Sequence, residues 1–280
     1  MNRPRPSRPR IPLLGYHSVS DSPESAIAPF TVGSDEMARQ LDLVVASGRR
    51  AVTVSEYVEL LDRDPSHVHD TVVITFDDGF EDNLTVAGPL LAERQLPATV
   101  YATTGFLRGP TGASAFPTLG RMIAWHDLGG LEAAGIEIGA HGHSHRPLDV
   151  LTHAEAHEEI TLSKQLLERS LGHRVSSFAY PHGYANRWTR DEVRRCGFRS
   201  ACGVRNAFSH PRDDRWLLAR LTVTATTPTS QVRSWLDGSG APTASRHEAL
   251  RTTAWREARR ARAAGRRARV TMGFRVPAAW

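Results

Sequence analysis

The sequence predicts an α/β barrel of about seven parallel strands, each followed by a helix, around one core. Three observations predict it. Short β-rich runs alternate with amphipathic, helix-length patterns along most of the chain. Seven or eight such strands fall within roughly 230 residues, which suits a barrel better than an open sheet. The unusual polar residues sit where predicted strands end, and in a barrel those ends converge on one face.

Taken in order, IPLLGYH reads as the first strand. Residues 34–47 read as a helix: Ser34 can cap it, Met37, Leu41, Val44 and Val45 form one apolar stripe, and Gly48 stops it. AVTV is a strand, after which Ser55 caps a second helix carrying Tyr57, Val58 and Leu61. TVVITF is a buried strand. Residues 81–96 have a helical pattern through Leu84, Ala87, Leu90 and Leu91, although Pro89 must kink or delay it. ATVYAT is the next strand, residues 105–124 form a long Gly/Pro-rich loop, and residues 126–134 a short helix. IEIGA is a strand. Thr152 and Glu155 form a capping box for a long helix that ends near Leu171 and stops at Gly172. VSSFAY is a strand, and Thr189 with Glu192 reads as another capping box. Residues 198–204 and 217–225 are the last strands, and Val232, Trp235 and Leu236 mark a closing helix.

The 280 residues are 40% hydrophobic, enough for one sizeable core. The formal charge of +5 is unevenly spread. Residues 1–10 carry four arginines and no acid, and residues 251–280 carry nine arginines and one glutamate, so the body between them is net acidic. A nucleic-acid or membrane role would have to reside in these arms. GSGAPTAS (238–245) reads as a linker, and the stretch from 251 as a basic C-terminal extension, helical or disordered. The two cysteines, Cys196 and Cys202, make neither a zinc pattern nor a disulfide framework. MNRPRPSRPR is followed by too short an apolar run for a signal peptide, and no run reaches transmembrane length, so a soluble cytoplasmic protein is expected.

The polar residues carry the chemistry. TVVITF runs into Asp77 and Asp78, IEIGA into His141 and His145, FAYP into His182, and LLGY into His17. Adjacent carboxylates ending a buried strand repel each other and call for a cation. They also point in different directions, so one can bind a metal while the other faces a reacting atom. A helix N-cap would explain one aspartate but not two. In GAHGHSHRP an extended backbone would put His141, His143 and His145 on one face, whereas a helical turn would pair His141 with His145 and turn His143 away. One aspartate and two histidines leave open coordination positions, as in a catalytic rather than a structural site. Such a set suits zinc and also ferrous iron, and the bound metal acidifies water for amide or ester hydrolysis.

TFDDG, HGHSH and FAYPHG, in that order, resemble the polysaccharide deacetylases of the NodB-homology type, carbohydrate esterase family four. LLGYHSV, LPATVYATTGF and WHDLGGLEAAGIEIGAH extend the resemblance to roughly residues 11–236, closest to the branch of poly-N-acetylglucosamine deacetylases. TFDDG with the spaced histidine pair is the specific part; each remaining motif alone is weak. The resemblance implies a distorted (β/α) barrel over residues 11–237, with 238–280 as linker and arginine-rich arm. It implies a divalent metal, zinc first, with Fe2+, Co2+ and Ni2+ as alternatives. Asp78, His141 and His145 would be its ligands, with the segment bent as a helical turn and His143 spare. Asp77 would be the general base that takes a proton from the metal-bound water, and the His182 N–H, where the family has a tyrosine, would help hold the oxyanion. The implied reaction removes an N-acetyl group from an N-acetylated amino sugar in a polysaccharide or glycoconjugate.

The chain also departs from that pattern. Ala179 stands where many members have an arginine that pairs with the base, and LLARLTV offers Arg220 where many have a histidine acid. Arg220 is therefore expected to pair with Asp77. His17 is the first candidate for the acid and His143 the second, against a core role for His17. Trp125 and Trp188 are weighed as sugar-stacking platforms against simple packing. Rival readings are a degenerate barrel that keeps metal and carbohydrate but not turnover, and a deformylase or amidase acting on a non-polymeric substrate. The Asp77–Asp78 pair argues against the first. Peripheral membrane contact is expected through residues 251–280, with Trp255, Phe274 and Trp280 adding to it, and no nucleic acid is expected, since the arginines lack regular aromatic interleaving.

Overall fold

A computed structural model describes residues 9–245. Its strands are β1 (Leu13–Tyr16), β2 (Ser18–Val19), β3 (Thr31–Val32), β4 (Arg50–Val52), β5 (Thr71–Phe76), β6 (Ala98–Ala102), β7 (Ile136–Ala140), β8 (Ser177–Ala179), β9 (Ser200–Cys202) and β10 (Leu221–Thr222). Its helices are α1 (Ser34–Ala46), α2 (Val54–Arg63), α3 (Gly88–Glu93), α4 (Leu128–Ala133), α5 (His153–Leu171), α6 (Arg187–Arg195) and α7 (Thr229–Leu236). The main sheet is parallel and runs β10-β1-β5-β6-β7-β8-β9. β4 and β6 share one edge of β5, at Val52↔Val73 and Thr75↔Thr99 respectively, while β1 takes the other edge. Leu218 pairs in parallel with Cys202, and three residues later β10 pairs with β1, so the segment from Leu218 to Thr222 curls the sheet into a distorted barrel.

Alternation along the strands sorts the core into two layers. Leu13, Val73, Tyr101, Ala179 and Cys202 form an inner cluster, plugged at one end by Val54, Tyr57 and Val58 of α2. Leu14, Ile74, Val100, Ile138 and Phe178 face outward onto Met37, Leu41, Leu91, Leu131 and Ile160 of the surrounding helices. Asp77 keeps the parity of Val73 and Thr75, so the end of β5 delivers it into the mouth of the barrel.

Several local expectations are corrected. Gly33, not Ser34, is the N-cap of α1, and the Ser34 N–H donates instead to Asp21 Oδ1 at 2.8 Å, a partner supplied by the preceding loop. Thr53, not Ser55, caps α2 in a capping box with Glu56; the Ser55 side chain is engaged by Glu137. Asn186, not Thr189, caps α6. The helix expected over 81–96 is a π-turn at Asn83–Ala87 followed by α3, because Pro89 cannot donate in the regular ladder. The capping box at Thr152 and the left-handed stop at Gly172 (φ 76°) are as expected. After α7 the chain stays with the body: the Phe208 N–H donates to Pro242 O and the Ala244 N–H to Phe208 O, each at 2.8 Å. The basic stretch 251–280, with Trp255, Phe274 and Trp280, lies outside the described residues.

Candidate active site

The C-terminal ends of β5, β7 and β8 bring together a carboxylate pair and three histidines. Asp77 is fully enclosed and held by Arg220 in a two-point clamp, Nη1 to Oδ1 at 2.6 Å and Nη2 to Oδ2 at 2.7 Å. Arg220 is only 1% exposed. Its Nε donates to Gly203 O at 3.1 Å, its Nη1 also reaches Thr75 Oγ1 at 3.1 Å, and its guanidinium carbon lies 5.6 Å from the centre of the Tyr101 ring. Gly139 makes room for that ring, since a Cβ there would come within 2.5 Å of Tyr101. Burial pushes the Asp77 pKa up, but Arg220, helped by His141, more than offsets this and holds the carboxyl below its ordinary range.

Asp78 turns the other way because its backbone is left-handed (φ 74°) and Gly79 follows suit (φ 88°). Its Oδ1 lies 3.4 Å from His141 Nε2 and 3.1 Å from His145 Nε2. The two rings are 5.1 Å apart. Oδ1 is buried yet accepts no well-aligned hydrogen bond. Burial acts to raise the Asp78 pKa, and the two histidines override it, so the carboxyl lies well below its usual range. For His145 burial acts to lower the pKa and Asp78 reverses that, leaving it raised. The pocket thus attracts a cation. His141 Nδ1 lies 2.8 Å from Ala179 O; a carbonyl only accepts, so Nδ1 carries the proton and the Nε2 lone pair faces Asp78. An orphaned carboxylate oxygen facing two imidazole nitrogens fits a divalent metal, and Asp78, His141 and His145 form a group with ligand atoms within 4.8 Å of one another.

The segment carrying the histidines is not a helical turn. It is an irregular bend in which Gly142 (φ 74°) and His145 (φ 60°) are left-handed. Those reversals bring His141 and His145 to one side, and tertiary bonds hold them. Glu159 of α5 accepts the N–H groups of His143 and Ser144, both at 2.8 Å, and the Ser144 hydroxyl. Gly142 O and His143 O accept from the N–H groups of Thr104 and Gly105. His143 points elsewhere: its Nδ1 is 2.9 Å from Thr104 Oγ1 and its ring meets Phe116 edge-on.

His182 follows β8 in the short turn Pro181–Gly183, left-handed (φ 59°), with its ring 4.6 Å from that of His145. His17 lies beside the aspartates. Its Nδ1 is buried with no hydrogen-bond partner among the described residues, and its ring is 5.2 Å from that of Phe30. Burial lowers its pKa, with Asp78 and Asp77 opposing. Trp125 and Trp188 pack against the core, and Trp188 is stacked at 3.9 Å on His153, which favours packing over a sugar platform for both.

Glu159 and Tyr101 also support the site, although no motif in the sequence singles them out. The signal for Glu159 was an acid set within the inward stripe of Ala156, Ile160, Ser163 and Leu167. Tyr101 gave none, since an aromatic in a strand reads as ordinary core.

Residues 65–201 match a family model described as polysaccharide deacetylase. The Bacillus subtilis (strain 168) protein YxkH, a candidate polysaccharide deacetylase, is 26% identical over 191 residues, covering 68% of this chain and 62% of that protein's length. Among solved structures, the Streptococcus pyogenes deacetylase PplD in complex with acetate superposes with a TM-score of 0.72 at 21% identity, over 81% of this chain and 97% of that one. IcaB from Ammonifex degensii gives a TM-score of 0.66 at 23% identity, over 81% and 97%. At these identities the structural likenesses establish the fold.

Proposed function

From a chain that belongs to the polysaccharide deacetylase family through residues 65–201, we propose a metal-dependent hydrolase that removes the N-acetyl group from an N-acetylated amino sugar in a glycan or glycoconjugate. One observation carries the reading: a buried carboxylate clamped by Arg220 directly adjoins the Asp78, His141 and His145 group. A site that only bound a metal would have no need of a second, separately ionised carboxylate beside it.

Asp78, His141 and His145 would hold the ion. A divalent ion there, zinc first and Fe2+, Co2+ or Ni2+ as alternatives, would acidify water and polarise the acetyl carbonyl. Asp77, kept ionised by Arg220, takes a proton from the attacking water as the new carbon–oxygen bond forms. The His182 N–H is assigned to donate to the oxyanion. The carbon–nitrogen bond then breaks as the proton taken by Asp77 passes through His17 to the leaving amine, and acetate leaves. Ala179 contributes through its carbonyl, which orients His141. Arg220 replaces from β10's approach the arginine that the family places at position 179.

No helix among the described residues is long and apolar enough to cross a membrane. The finer reading is a cytoplasmic enzyme held against anionic lipid by the arginines of 251–280; both cysteines are free thiols, in keeping with a reducing compartment.

The test combines metal analysis with release of acetate and formate from a panel of N-acylated glucosamine compounds, from monosaccharide to oligomer. The expected result is at least one divalent ion per chain, bound at the Asp78, His141 and His145 group, and acetate release that stops on chelation. A fully metallated chain that frees no acetate from any of them refutes the reading, and formate in its place redirects it to a deformylase.

A further inference from the structure

Away from the barrel mouth, α5 and α6 lie side by side and enclose an open groove of about 500 Å³. Three metal-ligating side chains of different chemistry meet there. His157 comes from α5, and Glu192 and Cys196 come from α6. Glu192 and Cys196 are four residues apart and so share one face of α6. His157 Nδ1 is 2.6 Å from Glu192 Oε1, and Cys196 Sγ is 3.6 Å from the same oxygen. Glu192 is 4% exposed, whereas His157 lies open to the groove.

We propose that His157, Glu192 and Cys196 form a second, zinc-type metal site that staples α5 to α6, independent of the barrel mouth. The donor set is the first reason. Imidazole, carboxylate and thiolate together suit zinc, and the groove leaves a fourth position for water. Geometry is the second. Tetrahedral zinc with ordinary bond lengths places sulfur and oxygen about 3.6 Å apart and nitrogen and oxygen about 3.4 Å apart. The sulfur–oxygen pair already stands at 3.6 Å. The nitrogen–oxygen pair has to open by roughly 0.8 Å from its hydrogen-bonded 2.6 Å, within reach of an exposed histidine ring. Electrostatics is the third. Cys196 is the C-cap of α6, where the last carbonyls favour a cation. Arg195 opposes the ion, but it holds only Oε2 of Glu192, at 2.8 Å, and leaves Oε1 to the other two ligands.

The site is distinct from the loop pin on the same helix. Glu159 stands two residues from His157, hence on nearly the opposite face of α5. Cys202 cannot substitute for Cys196, because it is enclosed inside the barrel against Tyr101.

The test is a cobalt(II) titration of the full chain in the Asp78→Ala background, reading the sulfur-to-cobalt charge-transfer band in the near ultraviolet. The barrel-mouth ligands include no sulfur, so the band reports the second site alone. The expected result is a band that saturates at one cobalt per chain, disappears in Cys196→Ser, and needs at least tenfold more cobalt in His157→Ala. No band, or a band that survives Cys196→Ser, overturns the proposal. A second measurement uses the unaltered chain, so it does not depend on the Asp78 variant folding. Zinc should slow alkylation of Cys196 by iodoacetamide at least tenfold, and an unchanged rate also overturns the proposal.

Discussion

Replacing Arg220 by methionine tests the link between the barrel's closure and its chemistry. The guanidinium is enclosed and satisfies both oxygens of Asp77. Methionine keeps much of the apolar volume against Tyr101 but leaves the Asp77 charge buried and unpaired. Breaking one side of such a pair costs about 3–5 kcal/mol, most of it the desolvation of the stranded charge. For a domain of this size that is a fall in Tm of roughly 6–20 °C. The pH dependence has a definite sign. In the intact protein the folded-state pKa of Asp77 is lowered, so the pair's contribution is full above the unfolded pKa and is lost as pH falls through the folded one. Without Arg220, burial prevails and the folded-state pKa rises above the unfolded value. The variant should therefore regain stability relative to the parent as pH drops from 7 toward 4. The assay is urea unfolding at several pH values for the parent, Arg220→Met, Asp77→Asn and the double variant. The double variant should recover most of the loss, because no charge is then stranded. If it is no more stable than Arg220→Met alone, or if the loss is independent of pH, the clamp is not what ionises Asp77 and the reasoning fails.

Four further outcomes follow from the same geometry. Asp78→Ala, His141→Ala and His145→Ala should each lose the barrel-mouth metal by elemental analysis while His143→Ala keeps it; equal loss in His143→Ala would count against the ligand set. Asp77→Asn should retain metal but lose roughly 10²–10⁴ of the acetate-release rate, and near-parental turnover would remove Asp77 from the base role. Glu159→Ala, which frees the loop bearing His141 and His145, should weaken metal affinity by about 10–100-fold in a competition titration with a chromogenic chelator. Deleting residues 246–280 should leave Tm and turnover of a soluble substrate nearly unchanged while abolishing salt-sensitive sedimentation with anionic vesicles. Unfolding or loss of metal in that truncation would show that the arm belongs to the barrel.

Features that depend on neighbours along the chain can be read from the residues alone. Strand parity placed Val73, Thr75 and Asp77 on one face, and the capping box at Thr152 with the stop at Gly172 delimited α5, because both signals are written within a few residues. The clustering of polar residues after β1, β5, β7 and β8 was legible for the same reason. Tertiary structure decided whatever joins distant segments. Arg220 stands 143 residues from Asp77, and only the return of β10 to β1 brings its fork within reach of both oxygens. The bend that sets His141 beside His145 needs left-handed backbone at Gly142 and His145, which the His-x-x-x-His spacing does not encode and which Glu159 and the Thr104–Gly105 backbone impose. The caps show the same division. Asp21 displaced Ser34's own side chain at α1 because a loop thirteen residues away supplies a carboxylate, and a local pattern carries no information about what the fold delivers from outside it.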